Sequence, residues 1–209
     1  MKKSLALFTL LGIFAACTES SSPEKTMERA EIQSEELIEK ETPELLPMEY
    51  VVIETNKGNF SLELDPNKAP ITVANFMAYV DAGFYDNTVF HRVIDGFMIQ
   101  GGGFTTDGSK KETRDPIMLE SENGLKNDVG TIAMARTNAP NSATAQFFVN
   151  LKDNGFLNYA PGNPGYAVFG KVSSGMDIVN EIRQAETGVK QGMSDWPNEE
   201  VIITKAYRE

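Results

Sequence analysis

The chain contains very little of the chemistry on which several large classes of protein depend. A single cysteine, Cys17, excludes an intramolecular disulfide. One histidine, His91, and one cysteine are too few soft ligands for a typical transition-metal site. The 19 basic residues against 30 acidic ones give a net charge of −11, whereas a nucleic-acid-binding protein needs a basic face. We therefore expect no intramolecular disulfide, no metal or other cofactor, and no nucleic-acid partner.

The only long apolar stretch, Leu5–Ala16, lies at the N-terminus and is too short to span a bilayer. Lys2 and Lys3 precede it, as in a secretory signal. It ends at small residues directly before Cys17, which resembles a bacterial lipoprotein signal in which the cysteine becomes the lipidated N-terminus. Residues 1–17 are therefore predicted to be a lipoprotein signal peptide, with lipidation at Cys17 and a membrane anchor there. A plain signal peptide is the alternative, because Phe14 stands where such signals usually have leucine.

The next segment, residues 18–47, is acidic and poor in aromatic side chains. It contains nine glutamates and three basic residues, a net charge of −6. Such a composition favours a solvated, flexible tether, which would reach about 30 Å on average. A partner-binding helix or dimer-forming coil is the alternative. Thr18 stands where an aspartate often marks inner-membrane retention in Gram-negative bacteria. We therefore expect a cell-envelope protein facing the periplasm, on the outer membrane if the organism is Gram-negative.

Residues 48–209 are predicted to form one folded, acidic domain. Two apolar runs, 50–55 and 60–64, flank a turn-forming segment and indicate a β-hairpin. Apolar residues at helical spacing predict a helix that begins near Pro70 and ends near Gly83, and a second helix from Met176 to Ile182. A last strand is predicted at 201–207. Many short strands with two helices suggest a closed, mainly β architecture.

The segment FHRVIDGFMIQGG, residues 90–102, places a guanidinium, an amide and several large apolar groups close together. Arg92, Phe97, Met98 and Gln100 do not share one strand parity, so a bend near Gly96 is needed to bring them together. The segment would then form an apolar cup with a cation and an amide at its lip. The glycines at 101–103 lack the residues of a phosphate-binding loop, and a tight turn is a sufficient explanation for them.

Three further segments supply similar groups. SATAQFFVN, residues 142–150, places Gln146 and Phe148 two apart, hence on one face of a strand. GTIAMAR at 130–136 precedes it, and GYAVFGKV at 165–172 follows a short segment that contains Phe156 and Leu157.

At these segments the chain resembles the cyclophilins, a family of peptidyl-prolyl cis-trans isomerases. The sequences at 142–150 and 165–172 are most similar to those of bacterial periplasmic members. The resemblance covers roughly Met48 to the C-terminus. It implies an eight-stranded antiparallel β-barrel capped by two α-helices. It also implies that proline-containing polypeptides are the substrates and that the enzyme accelerates rotation about the X–Pro bond.

The resemblance implies a role for each matching residue. Arg92 is the expected catalytic guanidinium, and Gln100 is expected to hold Arg92 or the substrate carbonyl. Four apolar residues are expected to line the proline pocket, namely Phe97, Met98, Phe148 and Leu157. Gln146 and the backbone at Ala135 and Arg136 are expected to orient the peptide.

Two positions depart from the eukaryotic pattern. Phe156 stands where many eukaryotic members have tryptophan, and Tyr166 stands where they have histidine. Loss of the indole N–H removes a donor used for cyclosporin, so we expect weak binding of that drug but intact isomerase activity. Arg136 replaces a smaller asparagine, so it could narrow or charge one side of the groove.

Each of these residues also has a simpler interpretation. Arg92 could be a surface ion-pair partner, the aromatic residues could be core, and the two glutamines could satisfy backbone groups. His91 invites a general-base role, but isomerisation needs no base, so we interpret it as structural. Trp196 is expected to pack a loop. A non-catalytic proline-binding or chaperone module and a structural envelope lipoprotein remain the alternative functions.

Overall fold

The computed structural model describes residues 44–209. This part of the chain forms ten strands, two α-helices and one short 3-10 turn at Gly155–Leu157. The strands are β1 (Glu49–Thr55), β2 (Gly58–Leu64), β3 (Thr88–Ile94), β4 (Met98–Thr105), β5 (Thr131–Met134), β6 (Phe147–Asn150), β7 (Val168–Ser174), β8 (Thr187–Lys190), β9 (Met193–Pro197) and β10 (Ile202–Arg208). The helices are α1 (Pro70–Asp81) and α2 (Met176–Ile182). The predicted signal peptide, Cys17 and the tether up to residue 43 lie outside the described residues.

Eight of these strands close into a barrel in the order β1-β10-β3-β4-β6-β5-β7-β2, and β2 pairs with β1. Every neighbouring pair in the barrel is antiparallel. Closure leaves the barrel without the unpaired strand edges of an open sheet. The predicted fold class, a closed eight-stranded antiparallel barrel with two helices, is confirmed.

The predicted hairpin β1–β2 shows why the barrel has a dry interior. Alternate side chains point to opposite faces, so Val51 and Ile53 are buried opposite their cross-strand partners Leu62 and Phe60. The residues between them are only partly buried. Burial of each large apolar side chain contributes about 1.5 to 3 kcal/mol. The alternation of apolar and polar residues therefore selects the register between β1 and β2. It also places their apolar side chains together in the interior of the barrel.

Helix α1 packs its buried face against this core. Pro70 occupies the first turn, where its missing N–H costs nothing. The carboxylate of Glu120, far along the chain, accepts hydrogen bonds from the backbone N–H of Ile71 (3.1 Å) and Thr72 (2.7 Å). Glu120 therefore caps the helix in place of a local side chain, and its charge complements the helix dipole. The ring of Phe76 contacts barrel rings, with 5.6 Å between its centroid and that of Phe147.

The structure around Trp196 differs from the one that the sequence predicted. Strands β8 and β9 form a separate two-stranded sheet that was not predicted. Trp196 lies within β9 and is 1% exposed, so it anchors a hairpin rather than packing a loop. Its ring packs against His91 of β3, with 5.9 Å between the centroids.

The glycines at 101–103 also differ from the expectation, because they lie inside β4 and not in a tight turn. Close approach explains them instead. A Cβ at Gly101 would lie 2.9 Å from the ring of Phe90, and one at Gly103 would lie 2.5 Å from the side chain of Gln146. Both positions therefore need a residue without a side chain.

The compact unit that contains the barrel comprises Leu45–Glu209. Leu46 and Asn67 exchange two hydrogen bonds of 2.8 Å, which fix the start of this unit. Among the described residues, no helix has the length and apolar character needed to cross a membrane. The same residues contain no group of three or more His, Cys, Asp or Glu side chains that could hold a metal ion.

Candidate active site on the outer wall of the barrel

A second apolar cluster lies on the outer face of the barrel wall. In β6, Phe147 and Val149 belong to the interior core, so Phe148 between them faces outward. The same alternation turns Met98 of β4 outward. Four strands contribute to the outer cluster, through Met98, Ala133, Phe148 and Val168. The wall therefore packs apolar side chains on both sides, and Met98 and Phe148 of the outer cluster border a cavity.

The β3–β4 hairpin places a cation and an amide beside this cluster. Arg92 of β3 is paired across the sheet with Gln100 of β4, so their side chains share a face. The turn between the strands contains Gly96 at φ +67°, a left-handed conformation that favours glycine. The bend predicted at Gly96 is thus a complete reversal between two strands.

The outer cluster surrounds a cavity of about 150 Å³, which we call the outer-wall cavity. Typical sites for drug-sized ligands are about 300 to 1,000 Å³, so this one suits a single small group such as a proline ring. Nine of the residues predicted for the site line it, namely Arg92, Phe97, Met98, Gln100, Ala135, Arg136, Phe148, Leu157 and Tyr166.

The other two predicted residues adjoin the cavity. Gln146 accepts a hydrogen bond of 2.9 Å at Oε1 from the side-chain amide of Gln100. This bond orients both amides at the lip. Phe156 is 65% exposed and stacks on Phe97, with 5.7 Å between ring centroids. It forms an apolar rim rather than part of the cavity floor.

Arg92 is partly exposed at the cavity and has one ion-pair partner among the described residues. Its Nε lies 3.6 Å from Oδ2 of Asp195, on β9. Its guanidinium carbon lies 6.0 Å from the ring centroid of Phe97. The charged group is therefore held between a carboxylate and an aromatic face, and it is still open to the cavity.

Arg136 and Tyr166 form the opposite side. The guanidinium of Arg136 donates to the carbonyls of Gly165 (2.9 Å) and Thr137 (2.8 Å), and it lies 4.5 Å from the centroid of the Tyr166 ring. Tyr166 in turn meets Phe148 edge to face at 5.7 Å. Arg136 is thus immobilised by the protein and stiffens this wall.

His91 does not line the cavity. It is 5% exposed, and its ring centroid lies 4.7 Å from that of Phe104. Burial lowers the pKa of His91 to about 4, and the charge of Arg92 acts in the same direction. A neutral imidazole packed among aromatic rings has a structural role, which is how we interpreted His91 from the sequence.

A network of buried asparagines behind the cavity was not predicted. Asn154 donates to the carbonyl of Phe97 (2.9 Å) and to Oδ1 of Asn150 (2.8 Å). Asn150 donates to Oδ1 of Asn127 (3.2 Å), and the amide of Asn127 donates to the carbonyl of Leu157 (3.2 Å). The three asparagines are at most 1% exposed. They connect two segments that line the cavity, and sequence patterns give no signal for such long-range amide contacts.

A closed antiparallel barrel with a small cavity on its outer wall, bordered by a half-exposed arginine, defines a β-barrel protein with a site for one small group. The comparisons with known proteins agree with this class. A model of the family described as cyclophilin type peptidyl-prolyl cis-trans isomerase/CLD matches residues 50–208. The chain is 54% identical over 162 residues to a peptidyl-prolyl cis-trans isomerase of Streptomyces antibioticus, covering 76% of this chain and 98% of that protein.

Two further relatives extend the comparison. The chain is 52% identical over 156 residues to peptidyl-prolyl cis-trans isomerase B of Escherichia coli, covering 73% of this chain and 95% of that protein. A crystal structure of a Cryptosporidium parvum cyclophilin type peptidyl-prolyl cis-trans isomerase has a TM-score of 0.62 and 29% identity, covering 78% of this chain and 98% of that one. A related crystal structure of the Cryptosporidium parvum protein, determined in the presence of the dipeptide Ala-Pro, has a TM-score of 0.60 and 30% identity, covering 77% of this chain and 98% of that one.

The chain therefore belongs to the cyclophilin-type peptidyl-prolyl cis-trans isomerases. It is an isomerase that acts on peptide bonds preceding proline.

Proposed function

We propose that Arg92 catalyses rotation about the X–Pro bond by stabilising the twisted amide while the proline ring occupies the outer-wall cavity. The barrier to this rotation, about 18 to 20 kcal/mol, comes from amide resonance. In the twisted state the prolyl nitrogen loses conjugation and becomes a hydrogen-bond acceptor. A guanidinium N–H directed at that nitrogen stabilises the twisted state more than the planar one, which is the requirement for catalysis.

The apolar lining supports the second half of this mechanism. Met98 and Phe148 are 2% and 4% exposed, so they are rigid walls against which a pyrrolidine ring can be held. A fixed ring makes the carbonyl side of the amide the part that turns. The paired amides of Gln100 and Gln146 lie beside Arg92 and could hold the peptide backbone.

The half-exposed guanidinium of Arg92, at the edge of a small cavity with apolar walls, is the observation that carries this proposal. A module that only binds proline needs the cavity but gains nothing from a cation whose partner is the twisted amide. We therefore favour the isomerase mechanism over a non-catalytic proline-binding or chaperone module, and the rate comparison below tests this choice.

The test compares cis-to-trans rates of a short X–Pro peptide with residues 44–209 and with their Arg92→Ala variant. A charge-assisted hydrogen bond contributes about 1.5 to 3 kcal/mol, so we expect a loss of about tenfold to hundredfold in kcat/KM. Arg183→Ala is the matched control, because Arg183 is similarly exposed, pairs with Asp95 at 3.1 Å and does not line the cavity. An Arg92→Ala variant as active as wild type would refute the role of Arg92.

We further propose that the enzyme works at the cell envelope on secreted or envelope proteins. The support is the sequence of residues 1–17, with a basic start, a short apolar stretch and small residues before Cys17, followed by an acidic tether. Lipid attachment at Cys17 would anchor the enzyme, and several acyl chains hold a protein far more firmly than one.

Metabolic labelling of cells with a fatty-acid analogue tests this localisation. Wild-type protein should incorporate the label and sediment with membranes, and Cys17→Ser should do neither. A labelled Cys17→Ser protein, or an unlabelled wild type, would contradict lipidation at this residue.

A further inference from the structure

We propose that Asp195 is a positioning residue that orients the catalytic guanidinium of Arg92, an inference that rests on the catalytic role proposed for Arg92. Asp195 belongs to the β8–β9 hairpin, which is separate from the barrel sheet. Its Oδ2 lies 3.6 Å from Nε of Arg92. The hairpin thus brings a carboxylate to Arg92, one of the two arginines that line the outer-wall cavity.

The backbone at Asp195 has a conformation that aims this carboxylate. Gly188 pairs with Trp196 and Lys190 pairs with Met193, so two residues of β9 face one residue of β8. This is a β-bulge, a feature that redirects side chains and is common beside active sites. Asp195 itself has φ +62°, in the left-handed region that non-glycine residues seldom occupy. Asp195 is partly exposed, and aspartate adopts this conformation more readily than most residues, so the left-handed backbone fits the bulge and sets the direction of the carboxylate.

The neighbouring residue holds the bulge in place. Trp196 is 1% exposed and its ring packs against His91, the residue directly before Arg92. The indole N–H donates to the carboxylate of Glu200 at 3.2 Å. Because Trp196 and Asp195 are adjacent, fixing the indole against β3 also fixes the carboxylate relative to Arg92.

The position of the Asp195 carboxylate beside Nε of Arg92, and not beside a terminal NH₂ group, suits a role in orienting the guanidinium. A guanidinium is a planar fork with five N–H donors. The carboxylate lies 3.6 Å from Nε, so the contact is an ion pair and not a hydrogen bond. It favours one orientation of the arginine side chain while both terminal NH₂ groups stay available to the substrate. The side chains are 41% and 37% exposed, so the interaction is a weak, solvent-screened one that orients rather than buries the charge. Its effect belongs to kcat, since it acts on the group that meets the twisted amide.

The experiment measures kcat and KM separately for residues 44–209 carrying Asp195→Asn, with Asp95→Asn as the matched control. Asparagine tolerates a positive φ and has the same shape, so the bulge should survive and only the charge is lost. Asp95 lies close to Arg92 in sequence, but its partner is Arg183. We expect Asp195→Asn to lower kcat about fivefold with KM within about twofold, and Asp95→Asn to change neither by more than about twofold.

A spectroscopic readout and a double variant complete the test. The Nε–Hε cross peak of Arg92, identified by its loss in Arg92→Lys, should shift in Asp195→Asn and stay in place in Asp95→Asn. On an Arg92→Ala background, Asp195→Asn should have no further effect on the rate. An unchanged kcat in Asp195→Asn, an unshifted cross peak, or the same loss without Arg92 would overturn the inference. If Arg92→Ala itself keeps the wild-type rate, the proposed function fails instead.

Discussion

Replacement of His91 by glutamine is expected to flatten the dependence of stability on pH. Burial lowers the pKa of His91 from its ordinary 6.5 to about 4 in the folded protein. Between these pH values the unfolded chain binds a proton that the folded chain does not. Stability therefore rises with pH across this window and is lost as the pH falls through it.

The size of the effect follows from the two pKa values. Each unit corresponds to about 1.36 kcal/mol, so the full loss below both values is about 3.4 kcal/mol. Between about pH 8 and about pH 5, the expected loss in the free energy of unfolding is about 2 kcal/mol. This is a large fraction of the 5 to 15 kcal/mol typical of folded proteins, as an order-of-magnitude guide.

Urea unfolding at both pH values measures this difference, and the single tryptophan, Trp196, provides a fluorescence signal beside His91. Subtracting the His91→Gln result from that of wild type removes the contribution of the carboxylates. Because the chain has one histidine, NMR titration also gives its pKa without ambiguity. Equal pH dependence in the two proteins, or a titration near 6.5, would refute the reasoning.

Three further changes test other parts of the structure. Glu120→Ala should destabilise the protein by about 1 to 2 kcal/mol in urea unfolding, because the amide of Thr72 at the start of α1 loses its acceptor, while Glu120→Gln should cost less. Asn154→Leu should lower both stability, by about 2 to 3 kcal/mol, and kcat/KM, because the carbonyl of Phe97 loses its buried donor. Phe156→Trp should tighten cyclosporin inhibition about fivefold to tenfold by supplying an indole N–H.

Each of these has a clear contrary result. Equal unfolding curves for Glu120→Ala and wild type would show that Glu120 does not stabilise the start of α1. A fully active Asn154→Leu enzyme would show that the asparagine network does not position Phe97. Unchanged cyclosporin inhibition in Phe156→Trp would mean that the missing donor is not what limits drug binding.

The parts of the fold that follow local rules could be predicted from the sequence. The β1–β2 hairpin alternates apolar and polar residues around a turn, and α1 has apolar residues at helical spacing after Pro70. The barrel itself came from the resemblance to a family, since closure depends on pairings such as β1 with β10, which lie far apart in sequence. The cavity residues were predicted as a set because four motifs and the short segment around Leu157 contain them.

The features that were missed depend on distant contacts or on weak local signals. The β8–β9 hairpin contains few β-branched or aromatic residues, and its turn uses Gln191 where Asn or Asp is the usual signal. Asn154 and Phe97 are 57 positions apart, so nothing local links them. Asp195 approaches Arg92 through a bulge, which no periodicity reveals.

The proposed mechanism requires Arg92 to act on the twisted amide and not on the ground state, and this can be measured directly. NMR titration gives the affinity of wild type and Arg92→Ala for an X–Pro peptide, and exchange spectroscopy on the same samples gives the isomerisation rate. The mechanism predicts that the affinity stays within about threefold while the rate at saturation falls at least about tenfold. If affinity and rate fall together, Arg92 binds the peptide without favouring its twisted state, and the proposed mechanism is wrong.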